Sequence, residues 1–291
     1  MKKAASLILI LVVLVAFGFT QAEEDSPVMQ LHQVDVGCAN AYLLLSGDTV
    51  ILIECGINWY KGIGDTPDKL MNYIASTGID HYDAHFITHW HNDHCLLMPE
   101  LSELYGSDSS SVYGPSTGLP DFLSLPKGNY CQLKAGESLE IGPFHILCVA
   151  PETIRRDGHI NEDSLNLLIT FGSFRMLFTG DYLGDAVVDH FGEEVSGADV
   201  ITFPHHGLEP YAVTSRALQA INPRIVLLPG APEGRVLQIF RRLRLEPEIY
   251  GNRHGNVVLV CDGTNAEVHT HAEPGEFAWE AVRPAGKAGK P

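Results

Sequence analysis

From residue 28 onward the chain reads as short apolar runs broken by turn residues. Runs at 28–36, 41–45, 50–54, 85–88, 138–141, 144–149 and 165–171 are rich in Val, Ile, Leu and Phe. Further runs lie at 175–179, 200–203, 225–228 and 257–261, most of them bounded by Gly, Asp, Asn or Pro. Their length, apolar and β-branched content and bounding turns predict strands. Apolar residues recur at three- and four-residue spacing over 67–76, 98–105, 215–220 and 235–244, which predicts helices. Pro67 and Pro99 fit first-turn positions in two of them. Strands come first, and a mixture of strands and helices follows in both halves. No Pro/Gly/Ser linker divides them, so one mixed domain over 27–272 is the simplest account. Residues 273–291 have weaker periodicity and a Gly/Ala/Pro/Lys-rich end, which predicts a flexible C-terminal tail.

The N-terminus changes the picture of location. Lys2 and Lys3 precede an apolar run over 4–19, then Thr20-Gln21-Ala22 and an acidic Glu23-Glu24-Asp25. This order predicts a signal peptide over residues 1–22 and a secreted or periplasmic protein. The alternative is a membrane anchor by the uncleaved segment, although the run is shorter than the roughly 20 residues of a spanning helix. Membrane contact is expected only in that case. Cys38, Cys55, Cys95, Cys131, Cys148 and Cys261 are widely spaced and form no CxxC pair. Most read as small buried hydrophobes rather than as a disulfide framework, with some pairing left open.

Composition narrows the class. In 291 residues, 45% hydrophobic and 19% charged side chains exclude a disordered, collagenous or coiled-coil chain. The formal charge is -17, with 19 Lys+Arg against 36 Asp+Glu. Tight, extended nucleic-acid binding needs clustered Lys and Arg, so this balance argues against it. A short stretch gripped through metal ions stays compatible. The one dense basic run, Arg241-Arg242-Leu243-Arg244, reads as a solvated helix face.

Candidate chemistry concentrates in three segments. Thr88-His89-Trp90-His91-Asn92-Asp93-His94 joins a predicted strand to a predicted helix and carries three imidazoles and one carboxylate. Those are ligands that a divalent metal prefers. Four such groups within six residues cannot all reach one ion comfortably, but alternate ones can serve two adjacent ions. Phe178-Thr179-Gly180-Asp181 ends an apolar strand on a carboxylate placed to bridge, and Pro204-His205-His206-Gly207 ends the next. A lone Gly-Asp is usually only a turn and a lone His pair usually solvated, but three strand ends together describe a site between layers.

In this order, HxHxDH, a strand-ending Gly-Asp and Pro-His-His-Gly, the chain resembles the metallo-β-lactamase superfamily of metal-dependent hydrolases. It looks closest to the metallo-β-lactamase-like domain of the DNA-uptake competence proteins, the ComEC type. The further matches are Asp35-Val36-Gly37, Asn161-Glu162-Asp163-Ser164-Leu165, and a Gly, apolar strand, Asp-Gly pattern over 255–263. The resemblance covers about residues 28–271 and implies an α+β fold, a four-layer αββα sandwich with the metal site along one edge. It implies two divalent metal ions, with zinc the default and manganese or iron open.

Carried over residue by residue, His89 and His91 would bind the first metal, and Asp93 and His94 the second. Asp181 would bridge both, and His206 would complete the second site. His205 is the substitute if the register slips by one, and otherwise a substrate contact. His159 is a candidate third ligand of the first metal, an exposed loop histidine being the alternative. Two ions about 3.5–4 Å apart would acidify a bridging water, giving a hydroxide nucleophile, with Asp93 orienting it or taking its proton. Thr88 and Asn92 are near enough to support the ligands.

Departures from the family pattern are specific. The usual Leu-Ile-Asp-Thr-Gly strand end reads Leu52-Ile53-Glu54-Cys55-Gly56, and Cys95-Leu96-Leu97 stands where Gly-Gly commonly follows HxHxDH. Cys95 reads as a packed thiol beside two leucines. Trp90 reads equally as a pocket wall or a buried anchor. The function implied is an exported dinuclear hydrolase acting on a small-molecule or phosphodiester substrate. The alternatives are an exported binding protein that kept the fold without efficient chemistry, a nuclease linked to DNA uptake, and oxygen chemistry on iron.

Overall fold

The computed structural model describes residues 27–57, 66–155 and 160–283. The predicted signal peptide lies outside them. The chain opens with β1 (Met29–Gln33), β2 (Ala41–Ser46), β3 (Thr49–Cys55), α1 (Thr66–Thr77) and β4 (Ala84–Phe86). Next come α2 (Asn92–Cys95), α3 (Met98–Tyr105), β5 (Ser111–Pro115), β6 (Asn129–Leu133), β7 (Ser138–Ile141) and β8 (Phe144–Ala150). Then follow β9 (Asn166–Phe171), β10 (Phe174–Phe178), α4 (Asp185–Val195), β11 (Val200–Thr202), α5 (Ser215–Ile221) and β12 (Ile225–Leu228). The last elements are α6 (Glu233–Leu243), β13 (Glu248–Gly251), β14 (Val257–Cys261) and β15 (Ala266–Thr270).

Two sheets result, in the orders β15-β14-β1-β2-β3-β4-β5-β6 and β13-β12-β11-β10-β9-β8-β7. The pleat explains why the apolar runs are continuous rather than alternating. Tyr42, Leu44, Ile51 and Ile53 point into the core between the sheets, against Phe144, Ile169, Met176 and Phe178. Their neighbours Leu43, Leu45, Val50 and Leu52 point the other way, onto Leu70 and Ile74 of α1 and Met98 and Leu101 of α3. In the second sheet Leu168, Leu177, Ile201 and Val226 likewise meet Val187 of α4, Leu218 of α5 and Phe240 of α6. Strands covered on both faces need both alternating sets to be apolar. The layers therefore run helices, sheet, sheet, helices, as the αββα expectation has it.

Elements that the pattern missed are polar or interrupted. Edge strands β13 and β15 carry Glu248, Glu267 and His269, and β5 ends in Gly114-Pro115. Helix α4 contains Gly192 and bends at Phe191, where φ is -130° and ψ 27°. Among the described residues no helix is long and apolar enough to cross a membrane.

Within the predicted tail, the described residues 273–283 carry packed side chains. Trp279 is 2% exposed and packs with Val282 among the residues outside the first sheet. Trp279 Nε1 donates to Gly47 O at 2.9 Å, and Gly47 N donates to Val282 O at 3.0 Å. Arg283 lies 4.3 Å over the Trp279 ring and bonds Asp48 Oδ1 at 3.0 Å. One large aromatic is enough to dock a segment whose weak periodicity hides it.

Two measurements test this end of the fold. Trp279→Ala should lower unfolding stability by about 3 kcal/mol in urea titration, as loss of a buried aromatic does, and an unchanged midpoint would mean the segment is not docked. His81, edge-on to Trp279 at 5.4 Å, is raised to about 9 by hydrogen bonding to Asp83, against a burial cost, and by Asp80. A raised histidine stabilises the fold fully below its unfolded value near 6.5 and loses that contribution as pH rises through about 9. His81→Gln should therefore be destabilised at pH 6 and equal to the parent above pH 9.5 in parallel denaturation curves.

Candidate metal centre

The two sheets bring their strand ends to one edge. Strands β3 and β4 run parallel in the first sheet, and β10 and β11 in the second. The carboxyl end of each feeds the site: Glu54 at the end of β3, His89–His94 after β4, Asp181 after β10, His205 and His206 after β11. Crevices outside the carboxyl ends of parallel strands are where such sheets build ligand sites.

Close packing fixes the backbone. Gly180 has φ +54°, and a Cβ there would lie 2.5 Å from Thr88 Oγ1. A Cβ on Gly56 would lie 1.7 Å from the carbonyl oxygen of Asp93. Only glycine lets β3 and β10 approach the His89–His94 turn this closely.

Asp181, 1% exposed, is the centre of the cluster. Its Oδ1 lies 3.0 Å from His94 Nε2 and 3.8 Å from His206 Nε2. Its Oδ2 lies 3.6 Å from His89 Nε2 and 3.7 Å from His205 Nε2. His91 Nδ1 is 3.0 Å from His89 Nε2, and His206 Nε2 is 3.2 Å from Asp93 Oδ2. Two sets, His89, His94, Asp181 and Asp93, His94, His206, each bring three donor atoms within 4.8 Å of one another. The side chains of Asp93 and His205, 29% and 19% exposed, mark the open face.

A second ring of side chains sets how these imidazoles point. Thr88 Oγ1 donates to Glu54 Oε1 and lies 3.1 Å from His89 Nδ1. A hydroxyl whose proton is committed accepts there, so His89 presents its Nε2 lone pair inward. Ser164 Oγ lies 3.3 Å from the same Nδ1 and accepts from Asp181 N at 3.1 Å. His94 Nδ1 donates to Glu54 Oε1 at 3.1 Å. Asn92 instead begins α2, its carbonyl accepting from Leu96 N at 3.3 Å.

Burial alone would neutralise these groups, and the charges around each decide the outcome. Burial opposes the Asp181 charge, but the charge and hydrogen bond of His94 outweigh it and hold the carboxyl well below the usual range. Burial likewise opposes a charge on His94, and Asp181 with Glu54 overcomes it, raising His94 well above an ordinary histidine. Burial and then the neighbouring His94 push His89 well down, so it is neutral. Asp93 is depressed despite its own burial, by His206 and His94. Ionised Asp181 and Asp93 and neutral His89 are in the donor states a divalent cation requires, and His94 would give up a proton on binding one.

Seven of the eight candidate residues thus meet in one pocket, while His159 lies outside the described residues. Sequence reasoning did not single out Glu54, Asn40 or Glu209 as supports. Asn40 Nδ2 lies 3.4 Å from His94 Nδ1, and Glu209 Oε2 lies 2.9 Å from His205 Nδ1. Glu209 carried a usable signal, its i,i+4 spacing from His205. Glu54 carried none, because its role depends on a left-handed φ of 58° at a strand end. Trp90 is 1% exposed and packs near Gly114 and Tyr130, which makes it an anchor behind the site. Cys95 is buried in the core, and all six cysteines are free thiols.

Comparison with known proteins agrees with this geometry. Residues 34–113 match the model of the metallo-β-lactamase superfamily. The lactamase-like protein ptaB of Pestalotiopsis fici is 33% identical over 81 residues, 27% of this chain and 24% of that relative, so the match spans about a quarter of it. The metallo-β-lactamase fold protein YhfI of Bacillus subtilis superposes with a TM-score of 0.53 at 18% identity, covering 76% of this chain and 96% of that one. CmlA, a diiron β-hydroxylase of Streptomyces venezuelae, gives 0.52 at 15% identity, covering 81% of this chain and 54% of its own. The fold is the metallo-β-lactamase fold, and the match to the superfamily model covers residues 34–113 within it.

Glu54→Gln keeps the shape of the side chain that orients His94 and removes its charge. Its affinity for Zn2+ should fall about 10–100-fold, measured by chelator competition on a chain with unchanged circular dichroism. Equal affinity in the two proteins would remove Glu54 from the role.

Proposed function

We propose that this protein is an exported, dinuclear metal-dependent hydrolase acting on a small phosphodiester or a similar ester bond. One observation carries the reading. Asp181 is a buried carboxylate whose two oxygens face different imidazoles, Oδ1 toward His94 and His206 and Oδ2 toward His89 and His205. The donor set fits a pair of divalent ions. His94 Nε2 and Asp181 Oδ1 are buried atoms without a well-formed hydrogen bond, although they lie 3.0 Å apart. Such atoms are costly in a core unless something else satisfies them.

In this reading His89 and His91 would hold the first ion and Asp93, His94 and His206 the second, with Asp181 available to both. Zinc is the default for imidazole with carboxylate, and manganese or iron suits the same donors. The ions would supply an acidified water and neutralise charge developing on the substrate oxygens. The chain's own residues do the rest. Asp93, partly exposed and aligned by His206, is placed to orient an incoming nucleophile and to accept its proton at Oδ2. Glu54 and Thr88 keep His94 and His89 from turning. Burial of His89, His94 and His206 excludes bulk water from behind the reacting bond.

The competence-type resemblance favours a nuclease within this class, while the charge of -17 favours a short substrate over a long, tracked duplex. Export follows from the basic, apolar and small-residue order of the first 22 residues. Hydrolysis is preferred over oxygen chemistry because water is its sole co-reactant.

Elemental analysis of the purified protein should find about two divalent ions per chain, and bis-p-nitrophenyl phosphate should be hydrolysed faster than single-stranded DNA. Asp181→Ala should lose most of the metal and slow turnover by at least about 1,000-fold. A well-folded parent chain without metal would favour the binding-protein reading. Iron with dioxygen consumption would replace hydrolysis.

A further inference from the structure

Metal sites of this donor type hold each ion with three protein groups or more. Counting the shared Asp181, the second site has four protein groups, with Asp93, His94 and His206, whereas His89 and His91 give the first only three. We infer that His205 supplies the third imidazole of the first metal site, oriented by Glu209. This rests on the dinuclear reading above and assigns its fourth protein ligand.

The ring is turned for that task. Its Nδ1 lies 2.9 Å from Glu209 Oε2, which makes Nδ1–H the donor of a charge-assisted hydrogen bond. The Asn161 amide nitrogen sits against the same ring, 3.2 Å from Nδ1 and 3.4 Å from Nε2. With the proton on Nδ1, Nε2 carries a lone pair. That lone pair lies 3.7 Å from Asp181 Oδ2, too far for a hydrogen bond, and both atoms are acceptors that one cation between them would serve. Two donors bound at about 2.0–2.2 Å to one tetrahedral ion lie about 3.3–3.6 Å apart. His89 Nε2, at 3.6 Å from Asp181 Oδ2, lies at the upper end of that spacing, and His205 Nε2, at 3.7 Å from the same oxygen, lies 0.1 Å beyond it. A carboxylate, an imidazole and a metal in line is the arrangement by which proteins fix the tautomer of a ligating histidine.

The backbone explains how neighbours in sequence can serve opposite sides of one carboxylate. His205 has φ 48° and ψ 45°, His206 has φ 53° and ψ 15°, and Gly207 continues at φ 72°. Successive left-handed residues are unusual outside glycine and persist where the surroundings hold them. Here His205 N donates to Gly180 O at 3.3 Å, and Ala231 N donates to His206 O at 2.8 Å. The turn splays the two imidazoles so that His205 reaches Oδ2 and His206 reaches Oδ1. A chain that needed only His206 would gain nothing from the strain at His205.

The test titrates Zn2+ into the metal-stripped full-length protein and counts equivalents and affinities by chelator competition. His205→Gly suits the left-handed backbone and should keep one ion at parental affinity while the other weakens at least about 10-fold. Added imidazole should restore it. Glu209→Gln, which leaves the loop intact, should weaken the same ion, and His159→Ala should keep both. Two ions at unchanged affinity in both His205→Gly and Glu209→Gln would overturn the assignment, as would loss of the first ion in His159→Ala alone. A parent chain that binds no zinc would instead overturn the dinuclear reading and this assignment with it.

Discussion

The burial of one carboxylate governs the design of this protein. A charge taken out of water costs several kcal/mol unless it is paired and hydrogen-bonded. Asp181 is almost fully buried at the seam of two sheets, so its neighbours must answer that cost. His94 does so from the first sheet, charged and itself held by Glu54, while Ser164 Oγ accepts from the Asp181 backbone amide. His89, His205 and His206 stand within 3.8 Å of the carboxylate. The glycines at 56 and 180 follow from the same demand, because the turns can close around the carboxylate only where no Cβ intervenes.

The four-layer architecture was legible because both faces of its central strands are buried, which writes unbroken apolar runs such as Ala41–Ser46 and Asn166–Phe171. Edge strands were not. Glu248–Gly251 and Ala266–Thr270 expose one face and one ladder edge, and their composition resembles that of loops. At the site, the groups in the His89–His94 turn were readable from local spacing, and Asp181 and His206 from strand ends. Glu54 could not be read that way, since its contact with His94 joins positions 40 residues apart through a backbone twist that sequence does not advertise.

Glu54 also shows how a departure from a family pattern is absorbed. A glutamate is one methylene longer than the aspartate it replaces in Leu-Ile-Asp-Thr-Gly. A left-handed φ costs a non-glycine residue about 1–3 kcal/mol, and Glu54 adopts it with its carboxylate in contact with Thr88 and His94.

The docked C-terminal segment has a consequence for how the molecule can be held. Trp279, Val282 and Arg283 clasp the turn at Gly47 and Asp48, which opens β3, while Glu54 stands near its far end. A strand of that length spans roughly 20 Å. Residue 283 therefore stands on the side remote from the metal cluster. A linker, a surface tether or a fused partner attached there would leave the mouth by Asp93 and His205 open to incoming molecules.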